Sequence, residues 1–374
     1  MKHRLRPAND VDSKRVDNDW GWLAWLTDGD SVPGLTVGRV VIRKGRQNPE
    51  HFHTTCDEIL YLLSGRLRHT VGDDAVIVEP GDVLQLPRDT HHRALSIGDE
   101  DADMLVIYNS SDRDFHPSDL MEDLVASPVC YPDDDLDTVM RRFAAMGFTL
   151  FEAFTTWVGS RLDVTVSPER YLQTARRHGM AFRSVHLPKI DGSDPATVAR
   201  ALDAIDFAAA LGAPIALYKA ASIDDYIAYA RQALDRAEEQ GVTLVIQNHA
   251  NTALAYPDDV AAVLDGVADE RLKVLLEVGH YEKVEVPWQQ PFERFADRIA
   301  YCHIKDLADG ESVAFGDGSF DFGALLSRMN ELEYGNGYVV ELEAKGALAE
   351  QSSMDAALAR SVDHLLDVAK AGDS

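Results

Sequence analysis

Past residue 126 the chain alternates short apolar strands with amphipathic helices, and it does so eight times. Few folds tolerate that rhythm. Strand-like runs fall at 129–131, 149–154, 182–187, 215–219, 243–248, 273–278, 300–304 and 338–342. Helical spacing follows each of them. In the first helix Leu136, Val139, Met140 and Phe143 share a face and Gly147 ends it; in the third, Val198, Ala201, Leu202 and Ile205 do the same before Gly212. Eight such units in about 245 residues predict a closed parallel (β/α)8 TIM barrel. The rival is an open doubly wound sheet, but no Gly-rich phosphate loop follows any strand.

In such a barrel the reactive groups gather where strands end. Strand two carries Glu152, strand three ends at His186 and strand four at Lys219. Strand five ends Gln247-Asn248-His249, strand six Glu277-Val278-Gly279-His280 and strand seven His303-Ile304-Lys305-Asp306. Strand eight places Glu341 and Glu343 on one face. Polar groups at so many strand ends cost desolvation unless they are paired or bind metal. Structural roles compete at several positions. Glu152 could pair with a basic neighbour, Lys219 could form a rim salt bridge, and His186 or His249 could pack in the core.

The N-terminal part has another texture. Between residues 20 and 108, strand-like runs at 60–63, 75–78 and 104–108 are separated by Gly and Asp turns. Within it runs Gly45, five residues, His51-Phe52-His53, four residues, Glu58, six residues, Gly65. A second string has Gly81, five residues, Pro87, then His92. Side chains two apart in a strand share a face, so His51 and His53 point inward together, and Glu58 and His92 can close the shell. Three imidazoles and a carboxylate suit Mn, Fe, Zn, Ni or Co better than Mg or Ca. Cys56, inside this loop, reads as a buried thiol. Trp20, Trp22 and Trp25 form a cluster expected to pack against the small barrel.

At 374 residues the chain exceeds one small barrel. The expected division is residues 1–118, a linker at 119–125 within the polar stretch 111–124, and residues 126–374. A formal charge of −27 argues against nucleic acid or an anionic membrane surface as partner. The three cysteines, Cys56, Cys130 and Cys302, are odd in number and far apart, which fits a reducing compartment. The opening MKHRLRPANDVDSK lacks the apolar stretch of a secretory signal, and no run of about 18 apolar residues occurs. A cytoplasmic location is the resulting expectation.

Two resemblances sharpen these readings. Residues 35–108 resemble the cupin family, with one departure: Asp89 stands where the second motif usually has Gly. Residues 126–370 resemble the xylose-isomerase-like barrel superfamily of sugar (phosphate) isomerases and epimerases. The strings VIQNH, LLEVGH, YCHIKD, GDGSFDFGALL and VVELEA carry that resemblance. It implies one divalent ion, often Mn, Mg or Co, held at Gln247, Glu277, His303 and Glu341. It also implies that His280 touches substrate oxygens and that Lys305 faces the same pocket. In both groups of relatives, homo-oligomers are common.

The barrel departs from its relatives in having Gln247 for Glu and Glu277 for Asp. Gln can ligate through its carbonyl oxygen but cannot act as a general base. Glu341 is therefore the carboxylate left at the ion, with His280, Lys305 and Glu152 as further catalytic candidates. The implied function is a metal-dependent isomerase or epimerase, abstracting a proton next to the carbonyl of a small sugar or keto sugar, with an accessory cupin. One alternative is dehydration of a keto sugar or keto-cyclitol at the same site. Another is an iron-dependent oxygenase or sugar sensor housed in the cupin, beside a degenerate barrel. The superfamily also includes a DNA-repair endonuclease, whose multi-zinc cluster and polyanionic substrate fit neither the histidine count nor the charge.

Overall fold

The computed structural model describes residues 5, 7, 15–18, 20–27, 32–72, 74–111, 113–117, 120–332 and 334–372. The opening segment, read as lacking a signal, lies outside the described residues apart from 5 and 7. Residues 1–119, 323–335 and 372–374 form one compact unit; residues 120–322 and 336–371 form the other.

The first unit is an antiparallel β structure of two sheets. One runs Val16–Asp17, Gly21–Trp25, Thr36–Ile42, Ala102–Tyr108, Glu58–Ser64, Val83–Leu86; the other runs His116–Pro117, His51–Phe52, His92–Ser96, Leu67–Val71, Asp74–Val78. Strand Glu58–Ser64 shows why the sheets enclose a core. Glu58, Leu60 and Leu62 are buried while Ile59, Tyr61 and Leu63 are exposed, a strict period of two. Trp20, Leu23, Ile42, Leu60, Met104 and Tyr108 belong to the apolar core, and Trp25 packs against it, as expected of the tryptophan cluster.

The polar stretch after residue 110 is not a free linker. His116–Pro117 pairs antiparallel with His51–Phe52. Asp114 accepts from the backbone N–H groups of Thr54 and Thr55, and Phe115 stacks on His51 at 4.6 Å between ring centroids. The charged residues that make the stretch look soluble are the ones that pin it.

The second unit is a closed barrel of eight parallel strands: β1 Leu124–Ala126, β2 Leu150–Phe154, β3 Ala181–His186, β4 Ile215–Leu217, β5 Thr243–Gln247, β6 Lys273–Glu277, β7 Ile299–Ile304 and β8 Tyr338–Val340. Strand β1 pairs with both β2 and β8, which closes the ring. Seven of the eight predicted strands fall in place. The first does not: residues 129–131 lie in and just after a 3-10 turn, Pro128–Cys130, and β1 overlaps the end of the expected linker. Pro128 has no N–H to give a sheet ladder, so it starts a helical turn there. Val125, Leu217, Val245, Leu275, Tyr301 and Val339 fill the barrel interior. Helix Leu136–Ala145 buries Val139, Met140 and Phe143 as its spacing predicts, and Gly147 beyond it has φ +92°. Among the described residues, no helix is long and apolar enough to cross a membrane.

Candidate metal centres

In the first unit His51, His53, Glu58 and His92 are all buried and bring one donor atom each within 4.8 Å of the others. Register does this: His51 faces His92 directly across the strands. Three backbone carbonyls fix the rings, those of Pro49, Asp114 and Thr90, approached by Nδ1 of His51, His53 and His92 respectively. A carbonyl only accepts, so each Nδ1 carries the proton and each Nε2 keeps a lone pair. Nε2 of His53 and of His92 lie 3.3 and 3.2 Å from the same oxygen of Glu58. Lone pairs aimed at a carboxylate repel unless a cation stands between them, so this donor set fits a metal. Burial opposes ionisation of Glu58, and it is positive charge at the positions of His53 and His92 that holds its carboxyl well below the usual range, so the pocket calls for a cation. Asp89 adopts φ +61° and donates its N–H to the His53 carbonyl at 2.7 Å. Asp is among the few residues that accept the left-handed region, so the departure from Gly keeps the turn. Burial pushes the Cys56 thiol up to about 11, the behaviour of an inert buried cysteine.

Two side chains matter here that the spacing does not reveal. His69 is buried, its ring stacked 5.7 Å from that of His92, and neither of its nitrogens has a hydrogen-bond partner among the described residues. Arg113 lies over the rings of Trp25 and Tyr108 at 5.0 and 4.7 Å. His69 shares the inward face of its strand with Leu67, a pattern visible in the sequence once the strand is recognised.

The barrel's strand ends converge as expected. Glu277, His303 and Glu341 are buried and place donors within 4.8 Å of one another. His303 Nε2 donates to Glu152 Oε2 at 2.9 Å, which leaves the Nδ1 lone pair facing inward. Around that lone pair stand Glu277 Oε2 at 3.3 Å, Glu341 Oε1 at 3.5 Å and the Gln247 amide nitrogen, Nε2, at 3.5 Å. Glu277 Oε2 accepts no hydrogen bond among the described residues. Two carboxylates closing on a lone pair and an orphaned oxygen is again a cradle for a cation. Burial would lower the His303 pKa, yet Glu152 and Glu341 carry it well above its ordinary value; the site calls for positive charge.

Asn248 and Gly279 brace this trio. Asn248 Nδ2 donates to the Glu277 carbonyl and its Oδ1 accepts from the Glu277 N–H, locking β5 to β6 at the rim. A Cβ on Gly279 would lie 2.8 Å from that of Lys305, so glycine is what lets Lys305 pass. Lys305 Nζ sits 3.2 Å from Glu341 Oε2 and 3.0 Å from Glu343 Oε1. Burial works against ionising Glu341, but Lys305 and His303 pull it well below the carboxylate range. Glu343 also takes Lys283 at 2.6 Å, so it belongs to an ion-pair network. His280 stacks on His249 at 3.7 Å, and burial lowers it to about 3, a neutral imidazole near neutral pH. Glu152 does not face open space. Both its oxygens are taken, Oε2 by His303 and Ser184 and Oε1 by Ser127 at 3.5 Å, with His186 Nε2 standing 3.1 Å away.

A xylose isomerase-like TIM barrel profile matches residues 140–367, and a cupin domain profile matches residues 38–108. The chain belongs to the xylose isomerase-like TIM barrel family, with a cupin domain ahead of its barrel. Within that family it is similar to an inosose dehydratase of Geobacillus kaustophilus, 27% identical over 136 residues, which is 30% of this chain and 42% of that protein. The chain thus spans less than half the length of that curated relative. Among solved structures, a xylose isomerase-like TIM barrel protein from Mycobacterium smegmatis in complex with magnesium matches with TM-score 0.54. It is 16% identical, covering 67% of this chain and 97% of that one. The IOLI protein with a bound zinc atom matches with TM-score 0.55 at 14% identity, over 67% and 98%. At such identities these two likenesses establish the fold.

Proposed function

We propose that the barrel is a metal-dependent enzyme that removes the proton beside the carbonyl of a small polyhydroxy ketone. The observation that carries this is the convergence of Glu277, His303 and Glu341 on one buried point, with Glu341 Oε2 turned towards Lys305. A divalent cation held there by Gln247, Glu277, His303 and Glu341 would polarise the carbonyl and make the adjacent carbon more acidic. The chain does the rest. Glu341 is kept ionised by Lys305, 3.2 Å from its Oε2, and is the carboxylate that would accept the proton. Glu277 is anchored by Asn248 and by the N–H of Gly279, which donates to its Oε1 at 3.1 Å. Glu152 holds His303 in the tautomer that presents Nδ1.

Two outcomes share that step: return of the proton, which is isomerisation or epimerisation, and loss of a β-hydroxyl, which is dehydration. Gln247 cannot take part in proton transfer, so a second carboxylate base is missing, and the similarity to inosose dehydratase points the same way. Dehydration of a keto-cyclitol or keto sugar is the outcome we favour; isomerisation of a keto sugar is the second reading. The cupin is an accessory metal-binding domain in either case. The test is wash-in of solvent deuterium at the carbon beside the carbonyl, across a panel of inososes and ketoses. Glu341→Gln is expected to slow exchange by about 10²–10⁴-fold. Undiminished exchange in that variant would refute the assigned base.

A further inference from the structure

A line of four side chains crosses β4, β3, β2 and β7. Lys219, two residues past β4, places Nζ 2.6 Å from His186 Nδ1. His186 Nε2 lies 3.1 Å from Glu152 Oε1, and Glu152 Oε2 accepts from His303. An ammonium only donates, so His186 Nδ1 accepts, which leaves its proton on Nε2, at ion-pair distance from the carboxylate but without a hydrogen-bonding angle. Glu152 and His186 are buried, but the head of the line is open. Lys219 lines a cleft of about 770 Å³ together with Lys189, Asp224, Gln247 and His249. An amine backed by an imidazole that is backed by a buried carboxylate can release a proton and recover it. The surrounding charges suit that use. Burial lowers the Lys219 pKa to about 8 although Glu152 and Glu341 favour its charged form.

We propose that Lys219, set by His186 and Glu152, is the second proton-transfer group of the barrel, the acid that protonates the departing hydroxyl. This rests on the reading that Glu341 is the base. Glu341 takes the proton beside the carbonyl, and the C–H electron pair moves into the carbonyl as an enolate. The bond to the β-hydroxyl then breaks, the oxygen keeps the pair, and the Lys219 proton completes a water molecule. Lys219 is left as a neutral amine. Solvent carries the proton on Glu341 back to it, so only water is lost. Gln247 lines the same cleft and has no proton of this kind to exchange, and among the cleft's ionisable groups Lys219 is the one backed by His186 and Glu152.

The experiment compares the full chain, Lys219→Met, Lys219→Arg and Glu341→Gln, each loaded with Mn(II) and offered an inosose in deuterated water. Lys219→Met is expected to retain deuterium exchange while water loss, read by mass, falls by about 10²–10⁴-fold. Lys219→Arg should not restore it, because a guanidinium keeps its proton. A readout free of turnover is the ¹⁵N signal of His186 in the metal-free chain. It should show an accepting Nδ1 that shifts near pH 8 in the natural protein and stays flat in Lys219→Met. Water loss at the natural rate in Lys219→Met, rescue by Arg, or identical His186 titrations would each overturn the proposal. Exchange that survives Glu341→Gln would instead sink the reading of Glu341 as base.

Discussion

Replacing Glu152 by Gln tests how the barrel centre is held, because the change is nearly isosteric and leaves Glu277, His303 and Glu341 themselves unaltered. Glu152 is wholly buried, accepts from His303 at 2.9 Å and has His186 Nε2 3.1 Å from its other oxygen. A glutamine offers one oxygen and one NH₂, so one of those rings must face a donor with a donor. If His303 loses its acceptor, its proton moves to Nδ1 and the lone pair that faces Glu277 and Glu341 disappears. Loss of an outer partner of this kind costs about 10–100-fold in metal affinity. That range corresponds to about 1.4–2.8 kcal/mol of binding free energy. The assay is titration of the metal-depleted full chain with Mn(II), in a background where His53→Ala and His92→Ala silence the cupin site. Circular dichroism would confirm that the barrel remains folded. An unchanged affinity in Glu152→Gln would refute the claim that Glu152 sets the His303 tautomer.

Three further outcomes are expected. Glu58→Gln should lower metal occupancy of the cupin by about 10²-fold or more while metal analysis finds the barrel content unchanged. Gly318→Ala should destabilise the barrel by about 1–3 kcal/mol in urea unfolding. Its Cβ would lie 2.1 Å from Asp306 Oδ1 and 2.5 Å from the Leu307 carbonyl, displacing a carboxylate that accepts from Gly316, Gly318 and Phe320 N–H groups. His69→Leu should remove an acid sensitivity of the metal-free chain. Burial lowers His69 to about 4, so between that value and its ordinary 6.5 the unfolded chain binds more protons than the folded one. Stability of the natural protein therefore rises with pH across that window, and thermal melts of the variant should show a flatter profile there.

What the sequence discloses and what it hides divide along a physical line. Glu277, His303 and Glu341 are legible because each lies within one residue of the end of its own strand, so position along the chain gives position at the rim. The cupin tetrad is legible because period two and cross-strand register are local properties of strands. Strand β1 is not: Leu124–Ala126 is only three residues long and follows the acidic turn Leu120–Asp123, whereas the strand-like 129–131 lies in and just after a helical turn begun by Pro128. The line from Lys219 through His186 and Glu152 is also hidden. It depends on how far side chains from three strands reach inside the barrel, and each member alone reads equally well as a salt bridge or a core group. His69 escaped because a single histidine between Arg68 and Thr70 resembles any polar strand position until the sheet above it is known.

The two centres use one device with different donors, and the difference predicts different ions. In each, the outer nitrogen of a histidine is tied down so that the inner one keeps its lone pair towards a carboxylate. The cupin ties its three rings to neutral backbone carbonyls and supplies three nitrogens to one carboxylate. The barrel ties its single ring to a buried carboxylate, which makes His303 the more basic ligand, and surrounds it with Glu277, Glu341 and the Gln247 amide. Nitrogen-rich sets favour Fe, Ni or Zn, whereas oxygen-rich sets accept Mn or Mg. A chain loaded from a mixture of Zn(II) and Mn(II) should therefore sort them, zinc to the cupin and manganese to the barrel. Electron paramagnetic resonance would place the manganese: its signal should survive His92→Ala and vanish with His303→Ala. The reverse pattern would mean that ring count, not the carboxylates, governs both sites.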